Sequence, residues 1–263
     1  MKRSDPSVAI VTVSFNSADT IGRTIESVNG QTYPNITHVF VDGGSTDSTR
    51  QTIEAVSTRR RQVLVGNDMG PYDAMNKGIR AAEADIIGIL NSDDYFTDPG
   101  SIAHIVEAFC STDAEVVYGD IEIFDRRDPG HVLRLWKTGR FSPKAFRRGW
   151  HPPHPGFYAT KTAYDHCGLY RTDLRVSADF ELMLRMLERC RLPSAYLPKV
   201  VVRMASGGIS NRSLRNIVLG NWNCLRAFSL NRFSLPLVYP LRRLGVKTTQ
   251  LLRARNGVAC TGE

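Results

Sequence analysis

The chain has 263 residues, 42% hydrophobic and 23% charged, an ordinary globular balance with enough length to bury a full core. No apolar run approaches the roughly 20 residues needed to span a bilayer, and Met1–Pro6 leads into a strand-like run without a secretory apolar stretch, so neither a spanning nor an exported chain is expected. The formal net charge of +8 lies entirely beyond Met204, where nine basic residues face Glu263 alone, which marks a C-terminal extension with its own partner.

In chain order, VAIVTV (8–13) reads as a buried strand, and Asn16-Ser17 can cap a helix whose apolar residues Ile21, Ile25 and Val28 repeat at helical spacing. Thr37–Val41 is a second strand, Ser48–Val56 a helix and Gln62–Val65 a short strand. Pro71 starts a helix carrying Met75, Ile79 and Ala82, and Ile86–Leu90 is the next strand. A helix with Ile102, Ile105, Val106 and Phe109, then the strand Glu115–Gly119, complete the series. Such alternation predicts an α/β fold with a mainly parallel sheet and helices on both faces. Beyond it, Ile121–Phe124 and Val132–Trp136 read as a hairpin, and the prolines of HPPHPG (151–156) force a loop. Ser177 can cap an amphipathic helix with Phe180, Met183, Leu184 and Leu187 on one face, and Val200–Met204 is a last strand. The cysteines Cys110, Cys167, Cys190, Cys224 and Cys260 are scattered, with no C-x-x-C. That argues against a disulfide framework or zinc site and fits a reducing cytosol.

Three strand ends carry acidic or Gly-rich loops: Ser14-Phe15-Asn16, Asp42-Gly43-Gly44-Ser45 and Asn91-Ser92-Asp93-Asp94. Each alone reads equally as a turn. Ligands of open α/β sheets bind beyond the carboxyl ends of the strands, so three such loops on one rim point to a binding site. Adjacent carboxylates at a core strand end are hard oxygen ligands suited to Mg²⁺ or Mn²⁺ with substrate phosphates completing the shell.

The segments VTVSFNS (11–17), VDGGSTDST (41–49), GPYDAMNKGI (70–79), GILNSDDYF (88–96), HPGFYATK (154–161) and VSADFELMLR (176–185) make the chain resemble the family 2 glycosyltransferases of the GT-A fold over roughly residues 8–210. It is similar to the branch that builds bacterial surface polysaccharides and glycolipids. The resemblance implies an inverting transfer of a hexose or deoxyhexose from a UDP- or GDP-sugar to a glycan or lipid-linked acceptor. It places Asp42 at the nucleotide base, with Gly43 letting the backbone approach the ribose and Phe15 beside it. Asp93 is expected to hold the metal directly, with Asp94 supporting it, although Asn91 stands where the family has its first Asp. The wider family often has Arg where Met75 stands; Lys77 is expected to supply positive charge to the phosphates, and Asp73 to face the donor. His154 matches a histidine near the acceptor or diphosphate, whereas His151 is read as structural. Asp179 matches the catalytic carboxylate, a general base for the acceptor hydroxyl. Its place in the first helical turn lowers its basicity. Glu181, about 200° further around that helix, is expected to face solvent. Ser206–Ser210 has the glycines to close over the donor.

The domain expected over 1–210 is followed by a basic extension over 211–263. There a stripe of Leu214, Ile217, Val218, Leu225 and Phe228 either packs on the domain or joins the arginines at an anionic membrane surface. A cytoplasmic enzyme, peripheral at the inner membrane face, is the expected setting. A sugar nucleotidyltransferase is disfavoured because Ser14–Ser17 is no Gly-rich G-x-G-T-R loop. Nucleic-acid binding is disfavoured because the tail's aromatics form no stacking platform and the carboxylates would have no purpose.

Overall fold

A computed structural model of the chain describes residues 5–208, 214–235 and 239. The tail residues Arg212, Arg242, Arg243, Lys247, Arg253 and Arg255, and the end of the expected closing loop at Ile209-Ser210, lie outside the described residues.

The first half follows the predicted alternation: β1 (Val8–Ser14), α1 (Ala18–Asn29), β2 (Ile36–Asp42), α2 (Thr49–Val56), β3 (Arg60–Val65), α3 (Pro71–Ala81) and β4 (Ile86–Ile89). Then come β5 (Tyr95–Phe96), α4 (Ser101–Ser111), β6 (Val116–Phe124), β7 (Val132–Trp136), β8 (Phe157–Thr160), α5 (Lys161–Cys167), α6 (Ala178–Leu184), β9 (Ser194–Ala205) and α7 (Leu214–Leu230). One nine-stranded sheet runs β3-β2-β1-β4-β8-β6-β9-β5, with β7 attached to β6. The β3-β2-β1-β4 half is parallel, as the βα alternation requires. Beyond β4 the pairing mixes: β8 is antiparallel to both neighbours, and β9 runs parallel to β6. Helices cover both faces, with α3, α6 and α7 contributing to one core and α4 to the other.

Two differences from the sequence pattern have a common cause. The expected strand ending at Gly119 and the hairpin strand starting at Ile121 are one strand, β6; and β9 begins six residues earlier than Val200. Gly119-Asp120 and Pro198 read as breaks. Register shifts flank Asp120, and Gly119 pairs with Leu197 while Asp120 pairs with Val200, so Pro198 and Lys199 fall in a bulge that excuses the missing proline donor.

Close approach of α3 to β1 fixes the helix that carries Tyr72, Asp73 and Lys77. A Cβ on Gly78 would lie 2.3 Å from Val11 Cγ1, so only glycine permits this packing. Ile79 and Met75 fill the neighbouring space, as their spacing predicts.

Neither serine expected to cap a helix does so with its side chain. The first N–H of α1, that of Ala18, is taken instead by Asp47 Oδ2 at 3.1 Å, from the loop after β2. Ser177 adopts a left-handed backbone (φ 66°), and its hydroxyl points to Gly220 O of α7 at 3.4 Å. Glu181 is corrected too: it is buried, ion-paired with Arg185 at 2.9 Å and hydrogen-bonded by Asn231 at 3.0 Å. Arg185 one turn on and Asn231 just after α7 give it partners, the second of which a helical wheel cannot show.

The extension beyond 210 is not independent of the preceding chain. Cys224, Ala227, Phe228 and Tyr239 are buried in the same core as Phe180, and Asn223 donates to Val176 O at 2.9 Å. Val218, expected on the apolar stripe, points outward, 69% exposed, with Trp222 one turn on at 60%.

Candidate active site

The strand-end loops of β1, β2 and β4 are laced together. Gly43 N donates to Ser14 O at 2.9 Å, Asn16 N to Ser45 Oγ at 2.9 Å, Thr46 N to Asn16 Oδ1 at 2.9 Å, and Ser17 N to Thr49 Oγ1 at 2.8 Å. Ser92 donates to Ser17 Oγ at 2.9 Å, which brings in the carboxylate loop.

Asp42 is fully buried at the centre of this lacing. One of its oxygens accepts from the hydroxyls of Ser14 and Ser45, and the other from Ser45 N at 2.9 Å. Where a direct contact with a nucleotide base is expected of Asp42, its carboxylate is enclosed in this structure and orders the loop. The carboxylate beside Gly43 is Asp68, whose Oδ2 lies 3.2 Å from where a Gly43 Cβ would be. The sequence pattern gave Asp68 no weight, because NDMG (67–70) reads as a turn. Phe15, 64% exposed, and Met69, 82% exposed, present apolar side chains at the same loops, Phe15 against Gly43.

Lys77 is not a free cation for phosphates. Its ammonium pairs with Asp68, with Asp73 at 3.3 Å and with Asn67 O at 2.8 Å. Two carboxylates already neutralise it, so it staples α3 to the 67–70 loop. Asp73 also accepts from Met69 N at 3.2 Å; that bond and Lys77 hold its carboxyl below the usual range.

The carboxylate pair ending β4 divides into two unlike members. Asp94 is buried and accepts from Ala205 N at 3.0 Å and Asn91 Nδ2 at 2.8 Å. Burial, and then the charge of Asp93, push its carboxyl up to about 8. Asn91, where the family has an Asp, thus serves as a donor that tempers the repulsion. Asp93 is the accessible member, 24% exposed, and it is paired with the guanidinium of Arg126 from the β6–β7 turn. Arg126 N in turn donates to Ser206 Oγ at 3.2 Å, so this turn and the start of the 206–208 loop meet near the carboxylates. The arginine was invisible in a segment that reads only as a hairpin turn.

Asp179 lies at the start of α6, partly exposed, and accepts from the Tyr72 hydroxyl at 3.0 Å. Tyr72 belongs to α3, 107 residues away in sequence. Burial, followed by the Asp179 charge, raises the phenol well above its ordinary value, so it stays a donor. Tyr72 stacks on Tyr170 with ring centroids 5.6 Å apart, and Tyr170 OH meets His154 Nε2 at 2.7 Å. Burial lowers the His154 pKa against an opposing pull from Asp179, leaving a neutral ring at pH 7. A cleft of about 250 Å³ opens beside Tyr72, lined by Met69, Asp73, Thr172 and Arg175. His151 packs edge-on against Trp136 and Phe180, in keeping with a structural part.

Residues 9–173 match the model of the family described as Glycosyl transferase family 2. The chain belongs to that family. An uncharacterized glycosyltransferase of Mycobacterium tuberculosis is 30% identical over 203 residues, 71% of each chain. A PGL/p-HBAD biosynthesis glycosyltransferase of Mycobacterium bovis is 25% identical over 211 residues, 78% of this chain and 80% of that one. The solved structure of the mannosyltransferase PcManGT from Pyrobaculum calidifontis, in complex with GDP-Man and Mn²⁺, superposes with a TM-score of 0.63 at 19% identity, covering 98% of this chain and 76% of that chain. The fold of the transferase is thus GT-A.

The Tyr72–Asp179 bond joins α3, which is tied to the 67–70 loop by Lys77 and Asp73, to α6. Replacing Tyr72 by Phe removes one charge-assisted hydrogen bond, worth about 1.5–3 kcal/mol. The transfer rate of Tyr72→Phe should fall by roughly tenfold or more with its circular dichroism unchanged. A rate equal to that of the parent transferase would show that the phenol takes no part.

Proposed function

We propose that the chain is an inverting glycosyltransferase that moves a sugar from a nucleoside diphosphate to a glycan or lipid-linked acceptor, with Asp179 as general base. The observation that carries this reading is Asp179 itself, partly open, oriented by Tyr72, and linked through α3 to the strand-end loops. Asp179 takes the proton of the acceptor hydroxyl while that oxygen attacks the anomeric carbon. The bond to the diphosphate breaks on the opposite side, and the electron pair leaves with the phosphate oxygen. Tyr72 holds the carboxylate toward the acceptor and keeps its own proton.

The donor lies across the laced loops. Phe15 and Met69 offer apolar faces to the base, Asp68 beside Gly43 offers an acceptor to a base N–H, and Gly43 admits the ribose. His154, neutral, is a donor or acceptor for the acceptor sugar or diphosphate.

The residues at the end of β4 fit a divalent cation, Mg²⁺ or Mn²⁺. Asp93 already draws a cationic group, and the Asp94 carboxylate is disfavoured by burial and then by the charge of Asp93, which a second positive charge would relieve. Asp93 would hold the ion directly, Asp94 would stand behind it, and Arg126 would give up its place. Bound there, the ion supplies charge neutralisation for the departing diphosphate. The similarity in fold to a transferase solved with GDP-Man and Mn²⁺ supports this reading.

A lipid-linked acceptor gives the basic extension a purpose. The outward face of α7 presents Arg215, Val218 and Trp222, and nine basic residues lie beyond Met204. Apolar and basic groups together suit the interface of an anionic membrane, each basic residue contributing about 1 kcal/mol near the surface. The relative in PGL/p-HBAD biosynthesis supports a glycolipid product. No helix of the described residues is long and apolar enough to cross a membrane.

Asp179→Asn should lower kcat by roughly 10²–10⁴ with donor affinity unchanged, whereas Glu181→Gln should act on stability through its Arg185 pair. A kinetic loss confined to Glu181→Gln would reverse the assignment. Asp93→Asn should abolish transfer and reduce Mn²⁺ binding measured by electron paramagnetic resonance; full activity in excess chelator would refute the metal's part. Sedimentation with anionic vesicles should be lost in a Val218→Ser, Trp222→Ser double variant, both positions being exposed and tolerant. Binding equal to that of the parent chain would remove α7 from the membrane.

A further inference from the structure

Outside the donor and acceptor regions, His166, Cys167 and Cys190 meet at the junction of α5 with the end of the α6 segment. Their imidazole nitrogen and two sulfurs all lie within 4.8 Å of one another. Nothing in the transfer reaction uses them. We propose that these three side chains form a site for a thiophilic divalent cation of the zinc class, which staples α5 to the end of the helix segment that begins with Asp179.

The donor set is two thiols and an imidazole, the combination that zinc prefers. Tetrahedral coordination with metal–sulfur bonds of about 2.3 Å and metal–nitrogen bonds of about 2.0 Å sets the sulfurs about 3.8 Å apart and each sulfur about 3.5 Å from the nitrogen. From separations no greater than 4.8 Å, closure shortens any pair by no more than about 1.3 Å. His166 is exposed and free to rotate, while Cys167 is buried and Cys190 half-buried, so the site has an inner wall and an open mouth. Solvent at that mouth supplies a fourth ligand.

The backbone field favours a cation here. Cys167 is the last residue of α5, which ends at Gly168 (φ 85°) with Gly168 N bonded to Tyr164 O at 2.8 Å. Cys190 closes the π-turn Arg185–Arg189 that continues α6, its N–H bonded to Arg185 O at 2.7 Å. Two helix C-termini, each with partial negative charge, therefore converge on the thiols. The same field works against thiolate. The Cys167 thiol is pushed far above its ordinary value by burial and by a hydrogen bond with Cys190, against a weaker opposing effect of Arg185. A metal ion displaces the thiol protons, so its uptake releases protons. Arg185, the cation that acts on Cys167, is paired with Glu181 at 2.9 Å, and Glu115 adds negative charge to the surroundings of Cys167.

The test is a titration of the full-length chain, thiols reduced, with Co²⁺ as a spectroscopic substitute for zinc. One equivalent should bring up thiolate-to-cobalt charge transfer in the near ultraviolet and the visible bands of a tetrahedral ion, and zinc should remove both. Cys190→Ser should abolish the charge-transfer band. His166→Ala, at an exposed position that leaves folding intact, should weaken binding by at least the roughly 10–100-fold cost of losing a supporting partner. Asp93→Asn should leave the spectrum unchanged, which separates this site from the donor-site cation. Absence of the band at equimolar cobalt, or a band of full intensity in Cys190→Ser, would overturn the proposal.

Discussion

A carboxylate can be buried only if its lone pairs find donors, and the active rim of this transferase is organised around that demand. Asp42 ends β2 and Asp94 lies in the loop after β4, the two parallel strands that flank β1, and both are buried. Each is satisfied by groups from elsewhere: Ser14 and Ser45 for Asp42, Asn91 and Ala205 for Asp94. Those bonds tie the ends of β1, β2, β4 and β9 into one surface. The loops are consequently held in shape by internal charge before any substrate arrives, which is the preorganisation that transfer chemistry requires.

The same economy governs the cations. Lys77 is committed to Asp68 and Asp73, and Arg126 to Asp93. Of these, the Lys77 pairs lie within the fabric of α3 and its preceding loop, whereas Arg126 reaches across from a hairpin turn to a carboxylate that is still accessible. A guanidinium at the end of a turn is easily moved, so the arrangement keeps Asp93 from repelling Asp94 without closing it to a stronger cation. This division explains how two adjacent carboxylates coexist at the end of a strand whose residues are otherwise apolar.

Asp179 is carried by α6, and α6 depends on α7. Phe180 meets Phe228 and Tyr239 at ring distances of 5.9 and 5.6 Å, and Glu181 is enclosed by Arg185 and Asn231. The helix that presents Asp179 is thus clamped from behind by the chain that follows the family's sequence motifs, and only the outward face of α7 remains for another surface. Catalytic domain and basic extension share one core, a link between packing and function that no motif boundary reveals.

Local patterns by themselves determined much of this protein. Apolar runs of four to seven residues separated by helical repeats specified the parallel half of the sheet, because buried strands and amphipathic helices each leave a periodic signature. The loops at the strand ends, with Asp93, Asp94 and Asp179, were likewise legible as motif residues. Partnership was not. Whether Asp42 faces a ligand or its own loop, whether Lys77 and Arg126 are free, and whether Glu181 meets water depend on residues 3 to 107 positions away, brought together only by the packed sheet. The β6–β9 pairing escaped sequence reading for a related reason: a bulge absorbs Pro198 and Asp120, residues whose local preference is to end a strand. Cys167 and Cys190 were scattered along the chain and became neighbours because two helices end at one place. Periodicity records what each segment buries, whereas the state of a polar side chain is set by what tertiary packing places against it.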